Sequence, residues 1–118
     1  MRHRKQGRKL SRPHEERESL LVSLAKGLIQ HRKVDTTLAK AKEAQREIER
    51  LITLARRGPE DTHARRLAFQ FLQDKEVVKL LFEEIGPQYR DQSGGYTRVI
   101  KLGPRQGDGA EMARLMLV

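Results

Sequence analysis

Leu20, Leu21, Leu24, Ala25, Leu28 and Ile29 recur at three- and four-residue spacing, and predict an amphipathic helix from about His14 to Arg32. A second stripe, Leu38, Ala41, Ile48, Leu51, Ile52 and Ala55, follows Thr36 or Thr37 as a cap and ends at Gly58-Pro59. A third helix begins near Asp61 or Thr62 and is expected to bury Ala64, Leu67, Ala68 and Phe71. A fourth opens on Asp74, buries Val77, Val78, Leu81, Phe82 and Ile85, and is expected to stop at Gly86-Pro87.

Beyond Gly94-Gly95 the period changes. Tyr96 to Leu102 is β-branched and aromatic and predicts a strand, with a loop from Gly103 to Gly109. Ala110 to Val118 has helical composition, yet Ala113, Leu115 and Leu117 alternate. A lone strand needs a neighbour, so a hairpin with the preceding strand is expected. Lys33 to Thr36 offers a third strand. The expected fold is α+β: about four helices on a small sheet of two or three strands. A basic arm, residues 1–13, precedes one globular domain, 14–118.

With 118 residues the chain can build one modest core. It has no cysteine, which excludes disulfides and thiolate metal sites. No apolar run approaches the roughly 18 residues a membrane helix needs. The basic start has no apolar stretch behind it, so it does not read as a signal peptide.

Charge alters the picture most. The formal net charge is +9 and the sequence pI about 10.4, which calls for a polyanionic partner. A membrane surface would require bulky apolar anchors among the bases, and the arm offers only Leu10. Arg2, Arg4, Lys5, Arg8, Lys9 and Arg12 stand in the first twelve residues with no acid among them. Such a block repels itself, and its arginines suit bidentate phosphate contact. Counterion release offsets the cost of ordering it on RNA. Residues 60–85 hold six acids against four bases, and on that count look unlike the main RNA face.

No catalytic constellation is apparent. His3, His14, His31 and His63 include no metal-clasping pair at i, i+4, and Glu18 stands where a second histidine would complete a metalloprotease motif after His14-Glu15. No serine sits in a nucleophile elbow, and the 103–109 glycines lack a phosphate-loop ending. Glu43 with Arg46 and Glu47 with Arg50 read as solvated helix pairs. No cofactor or small-molecule substrate is expected. Only 4% of residues are aromatic, which argues against an open stacking platform. A helix-turn-helix at Gln73-Asp74 would present a recognition helix with more acids than bases. Recognition of folded RNA by shape and phosphate remains.

Met1 to Leu10, Thr36 to Glu43, Leu51 to Ala55, His63 to Arg66 and Gly94 to Arg98 closely resemble, in order, segments of bacterial large-subunit ribosomal protein seventeen. The resemblance spans essentially the whole chain. It implies a structural protein of the cytoplasmic ribosome, bound to large-subunit rRNA beside other ribosomal proteins, with C-terminal strands completing the sheet. It places RNA contacts at Arg2, His3, Arg4, Lys5, Arg8, Lys9 and Arg12. It adds Thr36, Thr37, Lys40 and Lys42, and Tyr96 with Arg98. Tyr96 could instead fill the sheet face, and Thr36 or Thr37 could only cap a helix. Arg65 and Arg66 could face RNA or pair with Glu60, Asp61 or Asp74. From Pro13 to Glu18 the chain departs from the family, so the arm's contacts are expected to end at Arg12. Glu15, Glu16 and Glu18 would instead favour the helix dipole.

Overall fold

A computed structural model describes residues 14–118, so the basic arm, 1–13, lies outside the described residues. The first helix, α1, spans His14–His31, with Glu15 and Glu16 in its first turn. Arg32 ends it by turning left-handed, at φ 69°, and its carbonyl then accepts from Leu117 N–H at 3.1 Å. The chain enters β1 (Lys33–Thr37), and Thr37 caps α2 (Leu38–Ala55) by accepting from Lys40 N–H at 3.4 Å. Asp61 and Asp74 cap α3 (Thr62–Leu72) and α4 (Lys75–Leu80) in the same manner. All three expected caps are in place, because each places a short oxygen acceptor before orphan helix N–H groups.

The strands form one antiparallel sheet in the order β1-β3-β2, with β2 at Thr97–Pro104 and β3 at Glu111–Leu117. A register shift between Lys101 and Gly103 lets β2 run on to Pro104, two residues beyond the expected strand. Ala113, Leu115 and Leu117 all point into the core. The tail is therefore strand, and the short link after α1 supplies the third. α2 packs against all three strands and against α1 and α3, so it is the spine of the fold. One core unites the helices and the inner sheet face.

Two expectations need correction. The fourth helical run does not stop at Gly86-Pro87. α4 passes into a π-helical turn, Leu81–Ile85, and then α5, Gly86–Gln88. Pro87 has no N–H to continue a regular helix, and its ring would strike a carbonyl of the preceding turn. The π turn relieves this by widening the spacing, so that Gly86 N–H bonds Leu81 O. Gly86 keeps a right-handed φ of −51°. It is glycine because a Cβ there would sit 2.4 Å from the Ala55 carbonyl oxygen at the end of α2.

The second correction concerns α3, which buries Ala64, Ala68 and Leu72. Leu67 is 37% exposed and not buried as expected, while Phe71 is only half-buried and packs against the edge of the core. With Leu67, Phe69, Phe71 and Leu72 the helix is apolar on more than one side, and periodicity alone could not choose the inner one.

Candidate nucleic-acid interface

Glu49 in α2 fixes the start of β2. Its carboxylate accepts from Thr97 N–H at 2.9 Å, Thr97 Oγ1 at 2.6 Å and Tyr96 N–H at 3.4 Å. Gln45 Nε2 donates to Thr97 Oγ1 at 3.0 Å. The side chain of Tyr96 is wholly buried, edge-on to Tyr89 with ring centroids 5.2 Å apart, and its hydroxyl is 3.2 Å from Thr53 Oγ1. In this fold Tyr96 has no surface to offer RNA. Its place is the core, the alternative that its aromatic strand position allowed.

That anchor turns the next residue outward. Arg98 is exposed on β2 and pairs with Met116, which in turn pairs with Lys33 on β1. Leu115 and its partners Val34 and Val99 line the inner face, so Arg98, Met116 and Lys33 share the outer one. Two residues on, and on the same outer face, Asp35 and Arg114 form a bidentate pair at 2.7 and 3.1 Å. The Arg114 hydrogen bond holds the Asp35 carboxyl below its ordinary pKa. Neither Arg98 nor Lys33 forms an ion pair among the described residues, though the Lys33 charge also helps to lower the Asp35 pKa.

At the β1–α2 junction Thr36 lies on the inner face opposite Ala113, while Thr37 spends its hydroxyl on the α2 cap. Lys40 is half-buried and Lys42 exposed, and neither joins an ion pair among the described residues. Arg46 and Arg50 pair with Glu43 and Glu47 at 3.8 and 2.7 Å, as their spacing predicts, but Glu43 is buried, so its pair is not the solvated one expected.

Arg65 and Arg66 stand apart from this group, on α3. Asp61 faces Arg57 at 4.0 Å and Asp74 faces Lys26 at 3.7 Å, so both acids are engaged elsewhere. Arg65 donates to the Pro59 carbonyl at 3.1 Å and lies 5.8 Å over the Phe82 ring. Arg66 is exposed and forms no ion pair among the described residues. The predicted cations thus stand at three places: Arg98 on the outer sheet face, Lys40 and Lys42 at the start of α2, and Arg65 with Arg66 on α3. Lys33, Lys75 and Lys79 were missed as candidates. Lys33 is signalled only by strand pairing; the lysines of α4 lie in a run of net negative charge and are brought together with Arg65 and Arg66 only by the fold. Arg2, His3, Arg4, Lys5, Arg8, Lys9 and Arg12 lie outside the described residues.

A family model described as Ribosomal protein L17 matches residues 20–118. The chain belongs to that family. It is similar over its whole length to two proteins named large ribosomal subunit protein bL17. The one from Rubrobacter xylanophilus is 52% identical, with 96% of its own length covered. The one from Dictyoglomus thermophilum is 49% identical and covered in full. A third of that name, from Paramagnetospirillum magneticum, is 52% identical with 83% of its length covered. The L17 family is a ribosomal, structural one, so the chain is not an enzyme. No helix among the described residues is long and apolar enough to cross a membrane.

Proposed function

We propose that this chain is a structural constituent of the large ribosomal subunit in the cytoplasm, where it binds folded rRNA and neighbouring ribosomal proteins. Residues 1–13 act as an RNA-binding arm ahead of one globular domain, 14–118. Arg2, His3, Arg4, Lys5, Arg8, Lys9 and Arg12 supply the arm's contacts, and Lys40, Lys42, Arg65, Arg66 and Arg98 extend the surface over the domain. Membership of the L17 family carries the ribosomal part. The RNA part is supported by the net charge of +9 and by cations on the folded surface that lack acidic partners.

The test is sedimentation of the tagged chain through sucrose gradients in high salt. It should co-migrate with the large subunit. A full-length variant with the six arm bases changed to glutamine should incorporate poorly while melting normally. Normal incorporation of that variant would remove the arm from the interface.

A further inference from the structure

Residues 60–85 hold six acids and four bases, yet the fold sorts them unevenly. Arg65, Arg66 and Phe69 of α3 and Lys75, Val78 and Lys79 of α4 line one cleft of about 490 Å³. All four bases of the segment are therefore in the cleft. Of its six acids only Glu76 joins them. The spacings explain the sorting: 65, 66 and 69 share one face of α3, and 75, 78 and 79 share one face of α4. The turn at Gln73, left-handed at φ 54°, folds the two faces towards each other.

The cleft combines two chemistries. Arg66, Lys75 and Lys79 have no carboxylate partner among the described residues, so their charge is free for a phosphate. Phe69 is half-buried and Val78 buried beneath them, which gives the cleft an apolar wall. Its volume lies within the roughly 300 to 1,000 Å³ of clefts that take small ligands. A duplex backbone would use the cations and leave the phenyl ring idle. A nucleotide freed from pairing uses both, since its base can lie on an aromatic face while its phosphates meet the bases.

We infer that the α3–α4 cleft captures one unpaired nucleotide of RNA, with the base against Phe69 and the flanking phosphates on Arg66, Lys75 and Lys79. This rests on the reading of the chain as an rRNA-binding protein. It makes part of that binding selective for looped or bulged RNA.

The test uses the full chain with two probes at matched salt: a short single-stranded RNA and the duplex of the same sequence. Dissociation constants are read by fluorescence anisotropy. Phe69→Leu keeps an apolar side chain but removes the ring, and should weaken the single strand roughly 5- to 100-fold while leaving the duplex unchanged. Lys75→Gln with Lys79→Gln should lower the salt slope for the single strand by about 1.4, at roughly 0.7 per phosphate. Thermal melts confirm that each variant is folded. Equal effects of Phe69→Leu on both probes, or no effect on either, overturn the proposal. Ultraviolet crosslinking of assembled large subunits adds a second readout, a nucleotide adduct on the peptide spanning 66–79. A protein found seated there instead also overturns it. If the arm variant alone loses RNA, the cleft proposal fails and the rRNA reading stands. If the intact chain binds neither RNA nor the subunit, the rRNA reading itself fails.

Discussion

The Glu49 carboxylate takes both the N–H and the hydroxyl of Thr97, at 2.9 and 2.6 Å, and so ties the middle of α2 to the first residue of β2. Thr97 is buried, so both donors depend on that one acceptor group. Glu49→Ala strands them and should cost about 1–3 kcal/mol, the usual penalty for a buried polar group left unmade. Glu49→Gln keeps one acceptor oxygen and should cost less. Urea midpoints rank the two; equal loss from both would mean that charge, not acceptor geometry, sets the anchor.

Gly86→Ala sets two effects against each other. Within a helix at φ −51°, alanine is favoured over glycine by roughly 0.5–1 kcal/mol. A Cβ, however, would stand 2.4 Å from the backbone oxygen of Ala55 and 2.8 Å from its carbonyl carbon. Backbone cannot swing aside as a side chain can, and overpacking of this kind costs typically 1–3 kcal/mol. The clash wins, and the variant should be less stable by about 1–2 kcal/mol in chemical denaturation. A rise in stability would show that α5 slides freely on α2.

Gly86 also marks where sequence stops being legible. A glycine followed by proline carries the same local signal whether it ends a helix or permits a close approach, and only the position of Ala55 distinguishes them. Caps were legible because Thr37, Asp61 and Asp74 act on N–H groups two or three residues away. The C-terminal strand was legible from the alternation of Ala113, Leu115 and Leu117. The surface was not. Lys75 and Lys79 sit in a run whose total charge is negative, and their grouping with Arg65 and Arg66 arises only when α3 and α4 fold together. The arm's density of bases was plain from the first residues, though its path lies outside the described ones.

Tyr89 makes one part of the fold's stability sensitive to alkaline pH. Burial raises its phenol above the ordinary pKa of 10.0, against the opposing pull of Arg32. Its hydroxyl donates to the Val118 main-chain oxygen at 2.8 Å, and only the neutral phenol can donate. Because the folded value is the higher one, this stabilisation is complete below about pH 10 and is lost as pH rises through the folded value. Tyr89→Phe should cost about 0.5–1.5 kcal/mol at neutral pH. The difference between the two proteins should then grow smaller above pH 10. A constant difference across that range would separate Tyr89 ionisation from alkaline unfolding.

The two residues flanking Thr97, Tyr96 and Arg98, should separate stability from RNA binding. Thr53 Oγ1 donates to the Glu49 carbonyl at 3.0 Å, which leaves its oxygen to accept from the Tyr96 hydroxyl at 3.2 Å. Tyr96→Phe deletes that bond inside the core and should cost about 0.5–1.5 kcal/mol of stability. The ring remains in place, so affinity for large-subunit rRNA should not change. Arg98→Gln should do the opposite. The side chain is exposed and unpaired among the described residues, so stability should stay within about 0.5 kcal/mol of the parent. If Arg98 meets a phosphate, log affinity against log salt should lose roughly 0.7 to 0.9 of its slope. Loss of RNA affinity in Tyr96→Phe with an intact melt would place the tyrosine at the RNA after all. An unchanged slope in Arg98→Gln would confine the RNA surface to the arm and the helices.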